Sequence, residues 1–257
     1  MDAAIIIPAR LASTRLPAKP LLRETGKYLI QHVYEQALRV RNVSQVIVAT
    51  DAEEIVQAVR SFGGTAVMTS DQHPSGTDRV AEVAATLDVP IIINLQGDEP
   101  GIEPEYLELL AELLREEPSA QMATLAVPFQ NLADFQNPNA VKVVLGEKNR
   151  ALYFSRASIP FVRDGQPDFS ARPARFLHHL GLYAYRRESL LQLAQMPPHP
   201  LEQLEKLEQL RALATGWFMR VGVVPSAGKG VDTPEDYARF VAEYRNSVQR
   251  NRQVAQD

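Results

Sequence analysis

Short β-branched apolar runs alternate with amphipathic segments through the first half of this 257-residue chain. That alternation leaves few ways to fold. Residues 3–8 (AAIIIP) are apolar, brief and closed by proline, which predicts a buried strand. Residues 28–40 place Leu29, Ile30, Val33, Ala37 and Leu38 at helical spacing. Residues 45–50 (QVIVAT) predict a second strand and 53–62 a helix, which Gly63-Gly64 ends before a short strand at 66–68. A helix over 78–87 carries Val80, Val83, Ala84 and Leu87 on one face. Residues 90–95 (PIIINL) read as a buried strand and 104–115 as the next helix. Strands alternating with helices imply an α/β fold, a mostly parallel sheet with helices on both faces. Sheets of that kind bind ligands in the crevice beyond the carboxyl ends of their strands.

The second half is less regular. Residues 140–145 and 151–154 flank Gly146-Glu147-Lys148-Asn149-Arg150, a hairpin signal, and 162–175 read as an exposed loop. Strands are expected at 180–185 and 217–224, and a helix at 234–248 with Thr233 as N-cap. One helix is expected over 201–215, carrying Leu201, Leu204, Leu207, Leu210 and Leu213. Three residues turn only about 300°, so these leucines form a slanted stripe suited to packing across another element. No repeat or linker divides the chain, so a single domain over 1–248 with a polar tail at 249–257 is expected.

Composition removes several function classes. There are no cysteines, hence no disulfide, thiolate zinc site, iron–sulfur cluster or cysteine nucleophile. The 27 basic and 31 acidic residues leave a net charge of −4, which gives no reason to expect a nucleic-acid partner. The start MDAAIIIP lacks the basic end and long apolar run of a signal peptide. No apolar stretch approaches the ~18 residues of a membrane helix. A cytoplasmic protein without a membrane or nucleic-acid partner is expected.

Four segments carry chemistry. The first predicted strand runs into PARLASTRLPAKP, residues 8–20, with Arg10, Arg15 and Lys19 within ten residues. Arginine forks and a lysine point charge suit phosphate oxygens, and small residues between them let backbone N–H groups approach an anion. The plainer reading is a solvated basic turn. Neither G-x-x-x-x-G-K-[ST] nor G-x-G-x-x-G occurs in the chain. NLQGDEP, residues 94–100, follows the strongest strand, and Gly97 permits a tight turn that projects Asp98 into the crevice. GVDTPED, residues 230–236, supplies Asp232; acidic residues at a helix start also complement its dipole, the role that suits Glu235 and Asp236. Magnesium takes one or two carboxylates and fills its shell with phosphates and water, so Asp98 and Asp232 form a natural pair. In HPSGTDR, residues 73–79, Ser75 and Thr77 suit helix capping, while Gly76 would let backbone groups approach the edge of a base.

IPARLASTRLPAKPL, HPSGTDR, NLQGDEP, ATLAVP, NPNAVKVVL, ALYFSRASIPF, HHLGLYAYR, LEQLRAL and GVDTPED follow one another over about residues 4–240. In that order they resemble the 3-deoxy-manno-octulosonate cytidylyltransferase family. The resemblance implies a magnesium-dependent (Mg2+) nucleotidyltransferase making CMP-Kdo and pyrophosphate from CTP and 3-deoxy-D-manno-octulosonate (Kdo) for lipopolysaccharide biosynthesis. It implies a Rossmann-like α/β fold and a homodimer, with about 130–215 contributing a smaller sugar-binding and dimerisation insertion. By resemblance, Arg10, Ser13, Arg15 and Lys19 hold the CTP phosphates. Ser75 and Gly76, with Ala9 near the ring, recognise cytosine, and Gln96 contacts nucleotide or sugar. Asp98 and Asp232 bind the metal and, with Lys19, are catalytic. Arg156, His179, Tyr183, Glu208 and Gln209 contact the sugar acid. The anomeric hydroxyl would attack the α-phosphorus directly, which fits the lack of a Ser-His-Asp signature.

The chain departs from the pattern at Ala18, where the family has glycine; alanine there is strained only if the turn requires positive φ. Asp78 replaces a common glutamate. Other substrates stay open, an 8-amino-Kdo or a sialic acid among them, as does a non-catalytic nucleotide-binding regulator on the same fold. The sequence leaves open whether His178 or His179 faces the site, and whether one or two ions act.

Overall fold

The AAIIIPA run forms β1 (Ala3–Ala9), buried along nearly its whole length as a central parallel strand must be. The computed structural model describes residues 1–12, 15–228 and 230–254. After β1, the chain alternates as the periodicity predicts: α1 (Leu29–Ala37), β2 (Val43–Thr50), α2 (Glu53–Ser61), β3 (Ala66–Met68), α3 (Gly76–Ala85), β4 (Ile91–Asn94) and α4 (Pro104–Glu116). Then follow β5 (Met122–Pro128), α5 (Leu132–Gln136), the hairpin β6 (Lys142–Leu145) and β7 (Ala151–Ser155), and β8 (Leu177–Arg186). The chain ends with α6 (Arg187–Gln195), α7 (Pro200–Glu205), α8 (Gln209–Ala214), β9 (Met219–Val223) and α9 (Pro234–Val254).

The strands form one sheet in the order β3-β2-β1-β4-β8-β5-β9, with the β6–β7 hairpin attached to β8. All strands of the main path run parallel except β8, which is antiparallel to both β4 and β5. Apolar faces of α1, α2 and α4 cover one side, where Ile30, Val33, Ile55 and Leu107 meet Ile5 and Ile93. On the other side α3, α6 and α8 contribute Val80, Leu190 and Leu210 to a second core with Ile6, Ile92 and Tyr185. The sheet is therefore dry on both faces, and its loops are left to build a site at the strand ends.

Two expectations about helices change. The segment 201–215 is two helices, because Lys206 adopts φ 53° and closes α7. A capping box between His199 and Glu202 fixes the start of α7. The leucine stripe is broken accordingly: Leu207 and Leu210 are buried, whereas Leu204 is 80% exposed. The last helix runs on to Val254, past the expected end at 248. Its start is as read, since the Asp236 N–H donates to Thr233 Oγ1 at 3.2 Å.

Candidate nucleotide and sugar-acid site

The chain leaves β1 at the carboxyl edge of the sheet and turns back through Leu16-Pro17-Ala18 into a 3-10 turn at Lys19–Leu21. Ala18 has φ 50° and ψ 32°, the left-handed conformation that glycine adopts without strain. That turn aims Lys19 across the crevice. Its Nζ lies 2.7 Å from Asp98 Oδ2, 2.9 Å from the Val231 carbonyl and 3.3 Å from Asp232 Oδ1. Arg15 reaches Asp232 Oδ1 at 3.1 Å. A backbone hydrogen bond of 2.9 Å from the Val231 N–H to the Asp98 carbonyl ties the two acidic loops together. The two aspartates therefore share one cationic centre.

Glu99 completes the acidic side. Burial, then the Asp98 and Asp232 charges, raise its carboxyl to about 7. It packs against Gly230, where an added Cβ would come 3.0 Å from Glu99 Oε1. Glu99 is a functional residue without a clear sequence signal, marked only as a second acid between the Gly97 turn and Pro100. A Cβ at Gly97 would come 3.1 Å from the Pro8 carbonyl, so glycine there permits the close approach of this loop to β1.

A cavity of about 610 Å³ opens above this cluster, lined among others by Ala9, Arg10, Arg15, Lys19, Gln96 and Asp98. Arg10 is exposed and Ala9 buried. Ser13 lies outside the described residues. A second recess of about 190 Å³ shares Ala9, Arg10 and Gln96 with the first and adds Ser75, Gly76 and Arg79. Ser75 is the N-cap of α3: it accepts from the Asp78 N–H at 3.2 Å and donates to Asp78 Oδ2 at 2.6 Å. Capping and recess lining thus coexist at Ser75. A Cβ at Gly76 would meet only Pro8 carbons, at an ordinary 3.5 Å.

Four of the five sugar-side residues lie on β8 and at the start of α8. Gln96 Nε2 donates to Asn94 Oδ1 at 3.3 Å, and Asn94 pairs with Tyr183 across β4 and β8. Tyr183 lies 5.4 Å from His179, centroid to centroid, and His179 stands edge-on to Phe154 at 4.7 Å. Burial, then the neighbouring His178, lowers the His179 imidazole to about 3. Burial, then the Glu208 charge, pushes the Tyr183 phenol up, so it stays protonated. Thr77 donates to Glu208 Oε2. Burial raises the Glu208 carboxyl and the Thr77 hydrogen bond opposes that shift. Gln209 is buried, and its Nε2 has no partner among the described residues. His178 occupies the other face, against Phe129 at 5.3 Å; His179 is the member of the pair that joins Tyr183.

Arg156 stands apart. Its Nε donates to the Glu205 carbonyl at 2.7 Å, Nη1 to the Pro138 carbonyl at 3.0 Å and Nη2 to the Lys206 carbonyl at 3.4 Å. The guanidinium holds the α7–α8 corner, and no described contact joins it to His179 or Glu208.

Residues 4–221 match the family model described as cytidylyltransferase. A 3-deoxy-manno-octulosonate cytidylyltransferase of Geotalea daltonii is 52% identical over 251 residues, 96% of this chain and 99% of that one. The enzyme of that name from Geobacter sulfurreducens is 48% identical over 250 residues, 95% of this chain and all of its own length. A solved structure of CMP:2-keto-3-deoxy-manno-octonic acid synthetase complexed with CTP superposes with a TM-score of 0.89 at 46% identity, covering 96% of this chain and all of that one. A cytidylyltransferase from Leptospira borgpetersenii shares the fold at a TM-score of 0.59 and 18% identity.

Proposed function

The chain belongs to the 3-deoxy-manno-octulosonate cytidylyltransferase family, and from that premise we propose that it transfers CMP from CTP to the anomeric hydroxyl of Kdo, releasing pyrophosphate for lipopolysaccharide biosynthesis. One observation carries the reading: a single ammonium, that of Lys19, joins Asp98 and Asp232 at the floor of the large cavity between β1 and β4. A tetra-anionic nucleotide must there meet a sugar carboxylate, so the site must supply positive charge. Arg10 and Arg15 line the cavity, Arg15 paired with Asp232 at 3.1 Å, and guanidinium forks suit phosphate oxygens. The Lys19 ammonium already serves two carboxylates, and phosphates entering the cavity would compete for the same three donors.

The donor set suits magnesium. Two carboxylates converge on one cation, in a crevice open to phosphate and water, which matches that ion's preference for few protein oxygens. Asp98 and Asp232 would hold it; when bound it supplies positive charge at the phosphates and lowers the pKa of the attacking hydroxyl. The rest falls to the protein. The recess at Ser75 and Gly76 takes the base, Gln96 lies between base and sugar, and the neutral Tyr183 phenol, with His179, Glu208 and Gln209, lines the sugar-acid side.

We place the reaction in the cytoplasm; no helix among the described residues is long and apolar enough to cross a membrane. We also propose a homodimer through the part spanning about 130–215, supported by Phe161, Leu152 and Leu204, which are 85%, 57% and 80% exposed. The deciding assay is pyrophosphate release from CTP, with and without magnesium, across Kdo, 8-amino-Kdo and a sialic acid. Highest kcat/KM on Kdo, lost without magnesium, is expected; release on none of the acids would sink the enzymatic reading.

A further inference from the structure

Strand β5 reads MATLAVP, apolar but for one threonine. Valine has the same shape and lacks the polar atom, so the hydroxyl of Thr124, fully buried, needs an account. It sits where the sheet loses register. Thr124 pairs with Tyr183 while the next residue, Leu125, pairs with Leu180, so Gly181 and Leu182 bulge from β8. Thr124 Oγ1 lies 2.7 Å from the Leu182 carbonyl oxygen, 3.1 Å from the Leu180 carbonyl oxygen and 2.9 Å from His179 Nε2.

A hydroxyl has one proton and two lone pairs, and a carbonyl oxygen has no proton to give. Two carbonyls this close claim the Thr124 proton between them. Were that proton turned to the imidazole instead, the carbonyl at 2.7 Å would face a bare lone pair. What remains for His179 is a Thr124 lone pair, so Nε2 must bring its own hydrogen. In a neutral imidazole the other nitrogen, Nδ1, is then an acceptor, and it makes no hydrogen bond to any described residue. Burial keeps the ring neutral, lowering it to about 3.

We propose that Thr124 is a positioning residue that locks His179 as the Nε2–H tautomer, so that Nδ1 accepts a hydrogen bond from a hydroxyl of the bound sugar acid and does not pair with its carboxylate. The proposal rests on the reading of His179 as a sugar-acid contact. It gives the site a way to orient its substrate: a hydroxyl is welcomed at Nδ1, while a carboxylate there would meet a lone pair.

Imidazole-15N spectra of the unliganded protein, assigned with a His179→Asn variant, read the tautomer without any substrate. The expected pattern is a protonated Nε2 and a bare Nδ1, constant from about pH 5 to 8. A protonated Nδ1 in the wild type overturns the proposal, and so does a cationic ring over that range. Thr124→Val is expected to mix the tautomers and raise the Kdo KM about tenfold, with the CTP KM within about twofold. Thr124→Ser, which keeps the hydroxyl, is expected to restore both. If Thr124→Val does not fold, the wild-type spectrum and the serine variant still decide. A shifted tautomer with an unchanged Kdo KM would remove the hydrogen bond to the sugar. Should no sugar acid be a substrate, the pyrophosphate assay reports that failure, while the spectra still judge the Thr124 lock on their own.

Discussion

Lys19 and Asp98 stand 79 residues apart in the chain, yet their side chains meet at 2.7 Å. The pair is largely sheltered, at 14% and 32% side-chain exposure, and Asp232 and Glu99 lie beside it. Removing the ammonium leaves three carboxyl groups facing one another. Lys19→Met is therefore expected to lower the stability of the ligand-free protein by about 1–3 kcal/mol and to raise the CTP KM more than the Kdo KM. Thermal melts and steady-state kinetics check both; equal loss for the two substrates would point to a general folding defect.

Asp98→Asn keeps the shape of the loop but removes a charge from the shared centre. Turnover is expected to fall at least about 100-fold, with CTP binding partly retained when measured by calorimetry. Undiminished kcat would take Asp98 out of the metal role.

The positive φ of Ala18 turns a departure in the sequence into a stability expectation. A left-handed non-glycine residue costs about 1–2 kcal/mol, and glycine gives back about 0.4–1 kcal/mol through its looser unfolded chain. Ala18→Gly is expected to stabilise the protein by about 0.5–1 kcal/mol, seen as a rise of a few degrees in Tm. A lower Tm would mean that the turn relaxes away from that conformation in solution.

Where local periodicity governs, the fold was legible. In α2, Ile55, Val56 and Val59 lie on the buried face, and β1 and β4 are apolar runs with no polar alternation. β5 was not legible as a strand, since its alanines and single threonine carry little strand signal. The break at Lys206 was illegible for a different reason. No glycine or proline marks it, and its carbonyl is held by Arg156 from 50 residues away. Arg156 comes to the sugar acid by resemblance alone, and its place at this corner had no signal in the sequence. An arginine after a strand signals a cation, but its spending on backbone carbonyls is a tertiary fact. Asp98 and Asp232 were legible because each follows a strand whose carboxyl end faces one crevice. Glu99 was not, because its burial depends on Gly228 and Gly230 coming against its carboxylate from more than 120 residues away.

Arg156→Lys separates bracing of the α7–α8 corner from direct contact with the sugar acid. Lysine keeps the charge but not the fork that spans three carbonyls. A fall in Tm accompanied by a higher Kdo KM is expected, because the corner leads into Glu208 and Gln209. A raised Kdo KM with an unchanged Tm would instead show the guanidinium meeting the sugar acid directly.

Stability should depend on pH through two buried rings. Burial, partly opposed by Glu35, lowers His32 to about 4, and burial lowers His179 to about 3. Both rings gain a proton more readily when unfolded, near the ordinary 6.5, than when folded. Their contribution is complete above about pH 6.5 and is lost as pH falls toward the folded values. Each should cost about 1–2 kcal/mol between pH 7 and pH 5. Glu99 acts in the opposite sense: its carboxyl is raised to about 7, so its effect on stability worsens as pH climbs from about 4.5 to 7. The total curve therefore mixes the two trends, and a variant isolates one. His32 accepts or donates one hydrogen bond, with Thr25 Oγ1 at 2.7 Å, and packs edge-on to Phe240 and Tyr244. His32→Asn is expected to be less stable at pH 7, but to lose about 1–2 kcal/mol less than wild type on going to pH 5 in urea titrations. Parallel losses in the two proteins would show that the His32 ring does not carry the acid sensitivity.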